Sequence, residues 1–374
     1  MKILITGGMG FIGKAVIKKV LWEDFDSVVV LDNLLEKIHG PGAAPYDFKD
    51  KRVQFVKGDV SSRNEIEPLM LSSDIILHLA AETGTGQSMY EIELYNKVNI
   101  SATALMLDIL TNKKHKVKKF VVASSRTLYG EGKYLCNKHG AVYPKPRKDK
   151  DMEKKDFEIK CPECGVIVQV AATTEDSMIH PTSFYGITKQ VQEEIVMTLC
   201  PNIGIAPVAL RYQNVYGPGQ SLNNPYTGIL SIFSNRIRHR KSIDVFEDGK
   251  ESRDFVFIED VADATVRAIS SDKANGEAFN IGTGVAVSVL EVASSLKELL
   301  ASNINISISG KFRLGDIRHN YADINKAKKL LGFNPNYGFK KGLGVFIEWI
   351  KSQEVCPDKL DEAMDEIKKK GLYK

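Results

Sequence analysis

No stretch of this chain approaches the ~20 consecutive apolar residues that a membrane-spanning helix requires, although 43% of its 374 residues are hydrophobic. An excess of one charge sign is missing too: 51 basic residues stand against 47 acidic ones, a net charge of +4. That balance singles out no nucleic-acid partner. Cysteine is scarce, with five in all: Cys136, Cys161, Cys164, Cys200 and Cys356. No solenoid period is visible, and the opening Met1-Lys2-Ile3-Leu4-Ile5-Thr6-Gly7 reaches glycine too early for a secretion signal. We therefore expect a cytoplasmic protein with no membrane and no nucleic-acid partner. Its thiols should be reduced or metal-bound rather than cross-linked.

Short β-branched runs at 3–6, 27–31, 53–56, 75–79, 120–123 and 208–211 alternate with stretches of helical period at 12–20, 99–110 and 189–199. Strands alternating with helices argue for a parallel sheet covered on both faces. The expected fold is α/β, a Rossmann-type doubly wound parallel sheet. Past Arg211 the alternation weakens and glycine and proline loops appear. We expect residues 1–210 to bind a dinucleotide and 211–374 to form a smaller mixed substrate lobe, some of whose strands return to the sheet. Residues 133–172 break the rhythm with many lysines, few apolar residues and Pro144, Pro146 and Pro162. They read as an insertion, and their lysines as a solvated face.

Gly7, Gly10 and Gly13 follow the first strand and open a helix. The first permits a tight turn, the second lets backbone approach a phosphate, and the third lets helix pack on strand. The helix N-terminus then offers free amides to a pyrophosphate. Asp32 closes the second strand, where a carboxylate accepts hydrogen bonds from the adenosine ribose and repels a 2′-phosphate. NAD is therefore expected over NADP. Asp59 ends the third strand within reach of the adenine, and Leu79, Ala80 and Ala81 let backbone pass close to the cofactor. The full expected cofactor surface is Gly7, Gly10, Phe11, Ile12, Gly13, Asp32, Asn33, Asp59, Val60, Leu79, Ala80, Ala81 and Asn99, together with Tyr185 and Lys189. His78 reads as a packed structural histidine.

Tyr185 and Lys189 lie one helical turn apart on one face. A phenol titrates near 10, too high for a base at neutral pH. A neighbouring ammonium and a positive nicotinamide ring both favour the phenolate. Ser125, at the end of the fifth strand, is placed to donate to a substrate oxygen, with Thr127 contributing. Ser125, Thr127, Tyr185 and Lys189 are thus the expected catalytic set, for hydride chemistry on a hydroxyl group.

These motifs resemble the extended short-chain dehydrogenase/reductase family of nucleotide-sugar epimerases and dehydratases. The resemblance is carried by TGGMGFIG at 6–13, LDN at 31–33, HLAA at 78–81, SSRTLYG at 124–130 and YGITK at 185–189. RYQNVYGPG at 211–219, RDFVFIEDVA at 253–262, FNIGTG at 279–284 and GDIRH at 315–319 continue it. It implies that Tyr185 is the general base, that Lys189 lowers its pKa and binds the nicotinamide ribose, and that Ser125 orients the sugar. It also implies a nucleotide-diphosphate sugar held by Thr83, Asn214, Arg253 and Arg318, the two arginines on the diphosphate, and a homodimer built through the helices at 99–110 and 189–199. Dehydratases of the family carry an Asp-Glu pair where this chain has Arg126-Thr127, so the implied reaction is 4-epimerisation by transient oxidation at C4. Gln213 departs from the aromatic usual there and opens the question of the substrate, as does the 220–228 loop. With the insertion, Gln213 is similar to the thymidine-diphosphate-L-rhamnose 4-epimerase subgroup. A 4-keto-sugar reductase would need exchangeable NADPH, against which Asp32 argues. A scaffold or sensor that merely binds NAD would not need the complete Ser125, Tyr185 and Lys189 set.

Within the insertion, Cys136-Asn137-Lys138-His139-Gly140 and Cys161-Pro162-Glu163-Cys164-Gly165 form two knuckle-like pairs. Three thiolates and an imidazole suit a tetrahedral structural zinc, leaving no open position for catalysis. So polar a segment needs a metal to fold, and we expect a zinc-ribbon-like lobe that covers the active site and shapes the sugar pocket. Cys200 and Cys356 read as packing residues.

Overall fold

The computed structural model describes every residue except 41, 225, 227 and 374; Pro225 and Thr227 of the 220–228 loop therefore lie outside it. In β1 (Lys2–Thr6), Ile3 and Ile5 enter one apolar cluster and Leu4 the opposite one, all three fully buried. A strand covered on both faces needs such a continuous apolar run. β2 (Ser27–Asp32), β3 (Val53–Lys57), β4 (Ile75–His78), β5 (Lys119–Ser125), β6 (Ala206–Tyr212) and β7 (Glu277–Ile281) join it in one parallel sheet, in the order β7-β6-β5-β4-β1-β2-β3. The chain winds outward from β1 to β3, then crosses back to β4 on the other side of β1. The C-terminal ends of β1 and β4 therefore flank a topological switch point, where such sheets leave a crevice for ligands.

Two helices differ from the sequence expectation. The period starting at 99 is met by a π-helical stretch, Asn96–Ser101, before the α-helix Ala102–Asn112. The helix bearing Lys189 runs over Phe184–Leu199, because the Ser183 hydroxyl accepts from the Gly186 amide at 3.1 Å and caps it. Tyr185 thus lies in its first turn.

Beyond β6, a third apolar cluster forms around Tyr216, Phe255, Phe257 and Phe346. Asp254 locks this lobe to the end of β7: its carboxylate accepts from the Thr283 amide at 2.8 Å, the Thr283 hydroxyl at 2.7 Å and the Gly284 amide at 2.9 Å. The insertion builds a three-stranded antiparallel sheet from Tyr134–Cys136, Gly140–Val142 and Gln169–Val170. Contrary to expectation it has a small apolar core, including Tyr134, Val142, Ile159 and Val168. Among the described residues no helix is long and apolar enough to cross a membrane.

His78 is buried between the hydroxyls of Thr6, at 2.7 Å, and Thr103, at 3.2 Å. Burial first, and then the Lys189 charge, lowers its pKa from 6.5 to about 3. The unfolded chain therefore binds the proton that the folded chain refuses. This contribution to stability is complete above pH 6.5 and is lost as the pH falls towards 3, by up to about 1.4 kcal/mol per pH unit. Denaturant melts between pH 7 and 4 should show this contribution as the difference between the wild-type slope and that of a folded His78→Asn variant.

Candidate active site

A cavity of about 340 Å³ opens at the switch point. Gly7 turns there with φ +68, and a Cβ on it would sit 2.7 Å from the Ala80 nitrogen. A Cβ on Gly13 would meet Gly8 Cα at 2.5 Å, so only glycine lets helix and loop pack this closely. No side chain caps the start of the helix Phe11–Val20, which leaves its first amides for an anion. Gly10, Phe11, Ile12, Asn33, Asp59, Val60, Leu79, Ala80 and Ala81 line the same cavity. Asp32 lines it too, and accepts from the Met9 and Leu34 amides at 2.9 Å each. The imidazole of His39 lies 3.5 Å from the Asp32 carboxylate. His39 and Ile38, both on this wall, escaped the sequence reading because they come from a four-residue helix with no motif. The cradle of glycines, free amides and a carboxylate at the end of β2 fits a dinucleotide.

Two residues are placed differently from expectation. Asn99 does not reach the cavity: it is fully buried, and its amide is consumed by the Glu82 backbone at 2.8 and 3.1 Å and by the Thr188 hydroxyl at 2.9 Å. It holds the cavity wall from behind. Thr83 lines the dinucleotide cavity rather than a substrate one.

Ser125 and Tyr185 meet at the end of β5. The Ser125 hydroxyl accepts from the Thr127 hydroxyl at 2.9 Å and the Thr127 amide at 3.2 Å. Burial pushes the Tyr185 phenol up to about 12, opposed by a hydrogen bond with Ser125 and by the Arg126 cation. The Arg126 cation is thus an influence on the phenol that the sequence motif did not point to. Lys189 donates to the Ala123 carbonyl and to Gln192, both at 2.8 Å, and burial alone lowers its pKa to about 7. Gln192 was missed by the motif, although it lies on the same helix face as Lys189.

A second cavity, of about 430 Å³, is lined by Arg126, the residue directly after β5. Arg126, Asn214, Arg236, Arg253 and Arg313 line it, with Phe233, Phe246 and Phe255. Arg126 donates to the Asn214 amide oxygen at 2.6 Å. Its far wall comes from the C-terminal helix Leu360–Lys369 through Met364 and Lys368. Arg318 is not in this cavity. Its side chain is 0% exposed, and its fork is filled by Asp248 at 2.6 and 2.8 Å, Glu247 at 3.0 Å and Glu158 at 2.9 Å. Only its Nε–H is left unpaired among the described residues, and it is buried. Arg313, five residues earlier in the same segment, lines the cavity instead, with its guanidinium 3.2 Å from the Asp316 carboxylate. Gln213 is buried with neither amide atom paired among the described residues.

The four expected metal ligands come together. Cys136 Sγ lies 3.8 Å from Cys164 Sγ and 3.7 Å from His139 Nδ1, and Cys161 Sγ lies 3.4 Å from His139 Nδ1. A tetrahedron with metal–sulfur bonds of about 2.3 Å has edges of about 3.8 Å, so the set fits a four-coordinate ion and the separations exclude disulfides. Gly140 and Gly165 take φ +71 and +72 directly after each pair. Burial opposes ionisation of Cys161, but the amides of Cys164 and Glu163, with His139, bring it down to about 6. No residue of 133–172 lines either cavity, so the insertion does not wall the sugar pocket as expected. Cys200 is packed in the core, whereas Cys356 is only half-buried.

The NAD dependent epimerase/dehydratase family model matches residues 3–150 and 162–282. The chain belongs to this family. The break in the match falls inside the insertion. Among curated members of the family, a dTDP-L-rhamnose 4-epimerase of Burkholderia thailandensis is 36% identical, over 94% of this chain and 95% of its own length. A putative UDP-glucose 4-epimerase of Methanocaldococcus jannaschii is 29% identical, over 94% and 98%. Of solved structures, UDP-glucose 4-epimerase of Thermotoga maritima with UDP-glucose superposes with a TM-score of 0.74 at 27% identity, covering 94% of this chain and 99% of that one. UDP-glucuronic acid 4-epimerase of Bacillus cereus, with UDP-glucuronic acid and NAD, gives the same values.

Proposed function

We propose that this chain is an NAD-dependent nucleotide-sugar 4-epimerase. The observation that carries the reading is Ser125 and Tyr185 meeting at the end of β5, where Ala123 lines the glycine-cradled cavity and Arg126 the one with several arginines. When bound, NAD supplies the acceptor that takes hydride from C4 and gives it back. Tyr185 takes the C4 hydroxyl proton as the C4–H bond breaks and the C4 carbonyl forms, then returns the proton after the sugar has turned its other face. Ser125 and Thr127 orient the sugar oxygen. Lys189, anchored on Ala123 and Gln192, sits behind the phenol on the same helix. Arg253 and Arg313 hold the diphosphate, with Asn214 fixed by Arg126 beside them. Asp32 and His39 take the adenosine ribose, and the Asp32 carboxylate turns away a 2′-phosphate. Residues 1–210 serve the cofactor and 211–374 the nucleotide sugar.

The similarity to the Burkholderia protein, together with Gln213 and the insertion, favours a thymidine-diphosphate 6-deoxysugar of the rhamnose type. Incubation with dTDP- and UDP-sugars, followed by NMR, tests this: interconversion of C4 epimers is expected, and turnover of none of them ends the epimerase reading. The purified protein should carry NAD, visible by absorbance after denaturation. Asp32→Asn should weaken NAD about tenfold or more, since a hydrogen bond to a charged group contributes about 1.5–3 kcal/mol; fluorescence titration measures it.

We also propose a structural zinc on Cys136, His139, Cys161 and Cys164, and a homodimer in the reducing cytoplasm. The helices Ala102–Asn112 and Phe184–Leu199 lie side by side, and the second leaves Ile187 and Leu199 exposed. Sedimentation equilibrium should give twice the 41.5 kDa chain mass.

A further inference from the structure

The insertion touches neither cavity, yet it is bolted to the segment that carries the cavity's arginines. Arg147, with a side chain 5% exposed, grips buried Glu247 with both arms of its fork, at 2.6 and 2.7 Å. One arm also donates to the Asp316 carbonyl at 3.0 Å. Glu158 of the insertion accepts from Arg318 at 2.9 Å, and the Arg318 amide donates to Glu131 at 2.7 Å. Met152 and Phe157 pack on Phe312. Residues 316–318 are thus fixed from the insertion side. Their opposite side holds Arg253, which donates to the Ile317 carbonyl at 2.7 Å and the Arg318 carbonyl at 3.0 Å. The cluster of Glu247, Asp248 and Glu251 superficially suggests a cation site, but the guanidinium groups of Arg147 and Arg318 already supply its positive charge.

Buried ion pairs add little net stability, because desolvation offsets their attraction. What a bidentate fork does fix is geometry. We infer that Arg147 and Arg318 are positioning residues of the nucleotide-sugar site, setting the 316–318 backbone that aims Arg253 and Arg313 at the diphosphate, and so coupling the Cys3His insertion to substrate affinity. This rests on reading the arginine-walled cavity as the diphosphate site.

The test removes both charges of the clamp together, Arg147→Met/Glu247→Met, two apolar side chains of similar reach; Arg318 keeps Asp248 and Glu158, while Glu131 loses the Arg147 guanidinium 3.7 Å away. Calorimetry with dTDP and with UDP on the NAD-loaded protein should show affinity about tenfold weaker. The KM for the nucleotide sugar should rise by the same factor, with kcat within about twofold and NAD content unchanged. A merely structural role would lower the amount of folded protein and leave KM alone. Unchanged diphosphate affinity in the folded variant overturns the inference. Should that variant not fold, Glu158→Gln, at a half-exposed position, carries the test: about threefold weaker dTDP binding supports the coupling, and an unaltered value overturns it. A wild-type chain that binds neither dTDP nor UDP overturns it too. Weakened dTDP binding in a protein that epimerises nothing supports the positioning and sinks only the proposed activity.

Discussion

Tyr185→Phe is expected to lower kcat by about a thousandfold, within the range that a positioned general base or acid contributes. Only one oxygen is lost. The ring keeps its edge-to-face contact with Tyr95, at 6.4 Å between centroids, and its backbone amide keeps Ser88 at 2.9 Å. Bound NAD and the melting temperature should therefore hardly change, and the KM for the nucleotide sugar should stay within a few fold. The phenol's titration gives a second reading of the same group. Burial holds it at about 12 against Ser125 and Arg126, and a positive nicotinamide ring adds another pull downward. Ultraviolet difference titration, with Tyr185→Phe as the blank, should place this phenol lower in the NAD⁺ complex than in the cofactor-free protein. Turnover should accordingly rise with pH along its acid limb. Undiminished turnover in Tyr185→Phe would leave the active-site reading without its base.

Removal of the metal is the second large effect. A structural zinc supplies on the order of 10 kcal/mol to a small module, far more than the few buried side chains around Tyr134 and Val168 can replace. Purified protein should hold one zinc per chain by elemental analysis. Cys161→Ser/Cys164→Ser should lose it, and trypsin should then cut at Lys148, Lys150 or Lys154, all exposed, while the seven-stranded sheet stays folded. Through Arg147 and Glu158, the same variant should also bind dTDP more weakly. Zinc-free protein whose insertion still resists trypsin would show that the four ligands serve something else.

The large parallel strands and the glycine loop were legible in the sequence because their physics is local. A strand buried on both faces must be apolar throughout, a backbone beside a phosphate must be glycine, and Ser125, Tyr185 and Lys189 sit in short segments whose own geometry aims them. The Cys-x-x-His and Cys-x-x-Cys spacing was readable for the same reason: each pair is one turn, and its glycine needs φ near +70. The tertiary structure alone decided the rest. It buried Arg318 among carboxylates and turned Arg313 outward, put Asn99 behind the cavity wall, brought the Arg126 cation to the phenol, and kept the insertion off the sugar pocket while joining it to Arg253. Those outcomes depend on which long-range neighbours reach a side chain first. A guanidinium in a sequence is a donor for any anion, and whether it meets a carboxylate or a phosphate is set only when distant segments close around it.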